Sequence, residues 1–204
     1  DLHSFPTRRS SDLPTGITGG VPLGGGKFGG AVNPYSIVDQ DTQFDFYDGG
    51  GLDATFLGLA QCDEKGNINV SKFGPRIPGC GGFINISQNT KKVIFCGTFT
   101  AGGLKEEIKD GKLTILQEGK EKKFIKKVEQ VTFSADYANE TGQDVTYITE
   151  RCVLKLTKDG LMITEIAPGV DMEKDILAHM DFKPLISKDL KLMDEKILDR
   201  KSTR

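Results

Sequence analysis

KVIFCGTFTAGG, residues 92–103, is a run of aliphatic and aromatic residues that breaks off in glycine. Four or five consecutive apolar positions without alternation predict a strand buried on both faces, the pattern of a parallel sheet covered on two sides. Outward from it the same grammar repeats. ATFLGLAQ (54–61) and GFINIS (82–87) are further short apolar runs, read here as strands, and GGVPLGGGKFGG (19–30), DGGGLD (48–53) and GCGGF (79–83) are glycine-rich connections. Glycines at strand ends mark the loops where open α/β sheets hold ligands.

Beyond Leu104 the grammar changes. LKEEIKDGKLTILQEGKEKKFIKKVEQVTFSA (104–135) predicts strands, aliphatic inside and charged outside, turning at Asp110-Gly111. A second Asp-Gly turn, Asp159-Gly160, joins YITERCVLKLT (147–157) to LMITEIA (161–167), and the alternation predicts antiparallel strands with one wet face. The lysine-rich run 120–127 reads as part of that solvated face. APGVDMEKDILAHMDF (167–182) predicts a helix entered at Asp171 as N-cap, with Glu173 in the first turn and Ile176, Leu177 and Met180 on its packed side.

Composition excludes several classes of function. A net charge of -2 gives no footprint for nucleic acid or an anionic membrane, and no apolar run is long enough to span a bilayer. Cys62, Cys80, Cys96 and Cys152 are widely spaced and predict buried, reduced thiols rather than a metal or redox motif, which fits a cytoplasmic protein. With only His3 and His179, the latter on the surface of the predicted helix, a histidine-dependent hydrolase has almost no material. No metal site and no prosthetic group are expected.

The ends read differently from the middle. DLHSFPTRRSSDL (1–13) and DRKSTR (199–204) match translations of common short-read sequencing adapters, so they are expected to be foreign, with one native domain from Pro14 to Leu198.

The segment QFDFYDGGGLDATFLGLAQCDEKGNINVSKFGPRIPGCGGFINISQNTKKVIFCGTFTAGGL (43–104), with VTYITERCV (145–153) and EIAPGVDMEKDILAHMDF (165–182), closely resembles the family I CoA transferases, specifically the carboxyl-terminal half of the long acetate/propionate (acyl-CoA:acetate/3-ketoacid) type. The resemblance covers essentially all of 14–198. It implies a NagB/RpiA/CoA-transferase-like α/β fold with a mainly parallel sheet and an antiparallel hairpin region. It also implies transfer of coenzyme A between a short-chain acyl-CoA and a carboxylic acid such as acetate, propionate or a 3-keto acid. Coenzyme A is then a substrate, the other transferase half is a partner, and a homo-oligomer is expected.

The family attacks the thioester with a glutamate carboxylate, forming an anhydride and then a glutamyl-CoA thioester. Its pattern, Glu-x-Gly-x-x-Gly-Gly, registers on Gly16, Gly19 and Gly20 and puts the glutamate at Pro14. The carboxylate is absent, so this chain alone is expected to be inactive. Gly81 and Gly82 map onto the oxyanion loop, and Gly19, Gly20, Gly50, Gly51, Asp53 and Asn85 onto substrate or CoA binding. Asp53 has a competing reading as a helix N-cap, and the Gly81-Gly82 pair as a tight turn before the strand FINIS. Two other functions stay open: a CoA-ester-binding relative that does not transfer CoA, and a phosphosugar-binding domain of the same fold.

Overall fold

The computed structural model describes residues 12–13, 16–23, 27 and 29–198. The expectation of foreign ends falls mostly outside them. Asp12 and Leu13 are described, paired antiparallel with Thr18 and Ile17.

The centre of the molecule is a six-stranded sheet. Its strands are β1 (Ala54–Gly58), β2 (Lys92–Cys96), β5 (Asp144–Ile148), β6 (Cys152–Thr157), β7 (Gly160–Ile166) and β8 (Leu185–Leu192), in the order β8-β7-β6-β5-β2-β1. β1, β2 and β5 are mutually parallel, β7 and β8 are parallel, and the hairpin β5-β6-β7 is antiparallel. The separate hairpin β3 (Lys105–Lys109) and β4 (Lys112–Gln117) covers one face near β6 and β7. The predicted α/β class, the buried strand at 92–96 and both hairpins are all present.

The reasons are local. Val93, Ile94 and Phe95 of β2 are buried, as the unbroken apolar run requires. Asp110 and Gly111 both have positive φ, 51° and 70°, the two-residue turn whose twist matches a hairpin. Asp171 caps the turn that follows, its carboxylate accepting from the Lys174 amide at 2.8 Å. That turn is a π segment (Met172–Ile176) running into a 3₁₀ segment (Leu177–His179), and Ile176 and Met180 are buried.

GFINIS corrects one expectation. Residues Phe83–Gln88 form α2, a helix, and not a strand. The period of two in FINIS spans too few residues to decide, and the tertiary core decides instead. Phe83 and Ser87, four apart, are the buried pair; Phe83 stacks on Phe95 at 5.8 Å, and the Ser87 hydroxyl donates to the Phe83 carbonyl at 2.7 Å. Two other helices, α1 (Gln40–Asp48) and α3 (Ala135–Thr141), lie in the chain order either side of it.

The cysteine and lysine expectations hold in part. Cys62 and Cys152 are buried, and burial pushes the Cys152 thiol up to about 12, whereas Cys80 and Cys96 are exposed. Within the lysine run, Lys123 turns inward and donates to the Thr98 carbonyl at 2.8 Å, with 8% of its surface exposed. Burial lowers its pKa, and Glu150 acts in the opposite direction.

The core is aromatic. Phe95 meets Phe133 edge-on at 4.9 Å and Tyr147 at 5.3 Å, and Phe99 stacks on Phe124 at 4.7 Å. Tyr147 is fully buried, and its hydroxyl donates to the Gly66 carbonyl at 2.6 Å. Tyr147→Phe strands that carbonyl in the core, an expected cost of about 1–2 kcal/mol in urea unfolding. A change below about 0.3 kcal/mol would show that the bond contributes nothing net.

Candidate active site

The helices α1 and α2 lie side by side and run the same way: Phe44 meets Gly82, Asp48 meets Asn85, and Gly50 meets Asn89. Each delivers the chain to the start of a parallel strand, α1 through Asp53 to β1 and α2 through Lys91 to β2. The Asn85 side-chain amide donates to both Asp48 carboxylate oxygens, at 3.1 and 3.0 Å, and Asn89 donates to the Asp48 carbonyl at 2.6 Å.

Gly49–Gly51 end α1. The Gly51 amide reaches back to the Phe46 carbonyl at 2.9 Å and the Gly50 amide to that of Tyr47 at 3.0 Å, with Gly50 left-handed at φ 78°. This is the Schellman arrangement, which satisfies the last carbonyls of a helix. A β-carbon at Gly51 would also collide with the Phe46 ring.

Asp53 does not cap a helix. It stands at the mouth of β1, where its carbonyl accepts from Lys92 and its carboxylate meets the Lys91 ammonium at 3.1 Å, both side chains about three-quarters exposed. The glycine triplet had already ended the helix, so the residues after it start a strand.

Gly81 and Gly82 sit at the opposite end of the helix pair, ahead of α2. Gly81 is left-handed, at φ 53°, and a β-carbon there would meet nothing within 4 Å. Its glycine thus serves the backbone turn and leaves open space in front of it. Gly82 has Phe44 against its α-carbon, so a side chain there would lie 2.8 Å from the ring. Among the described residues neither amide donates to a neighbour.

Gly19 and Gly20 lie in a third place, a segment of two-residue strands paired with one another within 12–38. Both are left-handed, with Tyr35 against Gly19 and Val32 against Gly20. Pro14, where the motif places the glutamate, lies outside the described residues. The structure therefore brings Gly50, Gly51, Asn85 and Gly82 onto one helix pair, sets Asp53 at its far end, and holds Gly19 and Gly20 on their own hairpins.

One polar cluster has no signature in the sequence. At the carboxyl ends of β2 and β5 the Arg151 side chain is fully buried. It donates to Glu118 at 2.8 and 2.7 Å, to Glu150 at 2.9 Å and to the Asp175 carbonyl at 2.6 Å, with its guanidinium 5.1 Å from the centre of the Phe99 ring. Thr100 donates to Glu118, the Phe99 amide to Glu150 at 2.8 Å, and His179 lies 3.2 Å from Glu118. Burial alone would raise the Glu118 pKa. Hydrogen bonds from Arg151 and Thr100, the Arg151 charge and the Gly119 amide outweigh it and hold that carboxyl at about 2. His179 is at the surface as expected, 28% exposed, yet also touches this cluster. The cluster clamps three loops and the 172–179 turn to the carboxyl edge of the sheet. Its members come from four distant segments, so no local spacing announces it.

No family model matches the chain. It is 57% identical over 185 residues to the acetate CoA-transferase YdiF of Escherichia coli K12, covering 91% of this chain and 35% of that protein. YdiF of E. coli O157:H7 has been solved as the apoenzyme and as a thioester complex with CoA, and each superposes with a TM-score of 0.86 over 92% of this chain and 35% of that one. A caffeate CoA-transferase of Acetobacterium woodii is 54% identical over 188 residues, covering 90% of this chain and 36% of that protein. The beta subunit of an acetate CoA-transferase of Haemophilus influenzae is 29% identical over 188 residues, covering 88% of this chain and 71% of the subunit. The chain spans about a third of the length of YdiF and of the caffeate enzyme.

Proposed function

Since the close homologues of this chain are CoA-transferases along nine-tenths of its length, we propose that the protein of which it forms part moves coenzyme A from an acyl-CoA to a free carboxylic acid. A glutamate carboxylate ahead of Gly16 attacks the thioester carbonyl and expels the CoA thiolate, leaving an acyl-glutamyl anhydride. The thiolate attacks the glutamyl carbonyl and releases the first acid, giving a glutamyl-CoA thioester. The acceptor acid runs both steps in reverse. Thioester energy stays on the enzyme, and the kinetics are ping-pong.

Each addition passes through an oxyanion. Gly81 and Gly82 are assigned to it because their amides have no described acceptor and Gly81 faces open space. Gly19, Gly20, Gly50, Gly51, Asp53 and Asn85 are assigned to the approach of acyl-CoA, the first two next to the nucleophile. A short-chain acyl group and acetate, propionate or a 3-keto acid are the assigned substrates, with coenzyme A passing as substrate. Residues 14–198 belong to the carboxyl-terminal half, the other half completes the site, and the assembly is a homo-oligomer in the cytoplasm. No described helix is long and apolar enough to cross a membrane.

The observation that carries this reading is the match to YdiF, whose thioester complex with CoA superposes on this fold. The test is to incubate the parent-length protein with acetyl-CoA, without acceptor, and measure its intact mass. A covalent gain of CoA less water, on the peptide preceding Gly16 and removed by hydroxylamine, is expected. Turnover without any covalent CoA, or no turnover with any short-chain acid, would sink the proposal.

A further inference from the structure

Three parallel strands end side by side at one edge of the sheet, and a lysine that the chemistry above leaves unused is buried there. The Leu59 amide, just past β1, donates to the carbonyl of Cys96 at 3.0 Å, and the Gly97 amide, just past β2, donates to that of Ile148, the last residue of β5, at 3.1 Å. The Lys123 ammonium comes in against Gly97: a β-carbon there would lie 3.0 Å from Lys123 Nζ and equally close to Leu59. Gly97 therefore lets the cation reach the strand ends. The Lys123 backbone is fixed as well, its carbonyl accepting from the Cys62 amide at 2.8 Å.

The ammonium has donors to spare. It carries three N–H groups. Among the described residues it gives one to the Thr98 carbonyl at 2.8 Å and makes a longer contact with the Thr98 hydroxyl at 3.5 Å. Glu150 acts on it through space, and the Glu150 carboxylate itself accepts from Arg151 and from the Phe99 amide. A cation only 8% exposed is costly to bury unless an anion completes its shell. Thr98 and Cys96, on either side of Gly97, are exposed and leave that edge open.

The place fits the reaction. Open α/β sheets hold ligands at the carboxyl ends of their strands. α2 returns the chain from that edge to the start of β2, so Gly81 and Gly82, at its beginning, lie at the same edge. Gly16 does too: its carbonyl accepts from Val38, just before α1, and α1 runs parallel to α2.

We propose that Lys123 binds the carboxylate of the free acid that accepts coenzyme A, its two spare N–H groups facing the two carboxylate oxygens. That the acid is the acceptor rests on the transferase reading; the carboxylate site itself does not. A carboxylate is favoured over the phosphate monoester of CoA because one ammonium offers a single charge and two donors, whereas that phosphate brings about two charges and three oxygens.

Ping-pong kinetics let the two halves of the turnover be read apart in the parent-length protein. In Lys123→Met, loading of covalent CoA from acetyl-CoA is expected to persist. The acetate concentration that half-saturates discharge of that CoA is expected to rise about 10–100-fold, the range for losing a hydrogen-bonded charge. In the unaltered protein, without acyl-CoA, excess acetate is expected to slow reductive methylation of Lys123, read by peptide mass, about fivefold or more, and acetamide to leave it unchanged. Four results would each overturn the proposal: a folded variant with unaltered acetate dependence, loss of loading, a rise confined to acetyl-CoA, or shielding that acetate does not give or acetamide gives equally. Shielding by acetate in a protein that takes up no covalent CoA would uphold the carboxylate site and remove the transferase reading alone.

Discussion

Arg151→Ala is expected to cost about 3–5 kcal/mol of folding stability, the range for removing one partner of a buried ion pair. The guanidinium has no solvent exposure and is shared between two carboxylates and a carbonyl. Without it Glu118 and Glu150 face each other with no cation between them, and the 172–179 turn loses its tie through Asp175. Arg151→Lys recovers only part of the loss, because an ammonium cannot span both carboxylates as the planar fork does. Urea unfolding measures both, and a loss below about 1 kcal/mol for Arg151→Ala would show that water replaces the guanidinium at little cost.

The same cluster sets an acid limit. The Glu118 carboxyl titrates at about 2 in the folded chain against 4.5 ordinarily. A carboxyl depressed on folding contributes stability that is complete above its unfolded value and is lost as pH falls toward the folded one. The stability gap between the parent sequence and Arg151→Ala is therefore expected to be widest above pH 4.5 and to narrow between 4.5 and about 2. A gap independent of pH over that range would place the origin of the cost in packing alone.

The second large effect concerns catalysis. In the parent-length protein, replacing the glutamate that the motif sets two residues before Gly16 with glutamine is expected to lower CoA transfer by about 10³-fold or more. A carboxamide keeps the shape but is a poor nucleophile toward a thioester. The covalent CoA adduct should vanish, while the urea midpoint moves little, because the side chain is not asked to support the fold. Activity within tenfold of the parent would remove the glutamyl thioester from the mechanism. In the register of the motif that position is Pro14 of the present chain, a side chain without a carboxylate.

Local chemistry made much of the fold legible. The Asp110-Gly111 turn, the cap at Asp171 and the apolar run at 92–96 each depend on residues within a few positions of one another, and each is found where the text puts it. The site is legible only through motif likeness: Gly16, Gly19 and Gly20 register a family pattern, but nothing in their spacing says what stands across from them.

What the sequence determined by itself, then, is the α/β class with its parallel and antiparallel parts, the two hairpin turns and the likeness to CoA-transferases. Those are properties of short windows, or of the order in which windows follow one another. Tertiary structure alone decided that FINIS coils so that Phe83 can reach Phe95, that Asp53 opens a strand, and that Lys123 turns inward. It also gathered Thr100, Glu118, Arg151 and His179 from four segments. The physical reason is the same in every case: burial and ion pairing act between residues that meet in space, and their energies exceed the few tenths of a kcal/mol by which local preference separates one conformation from another.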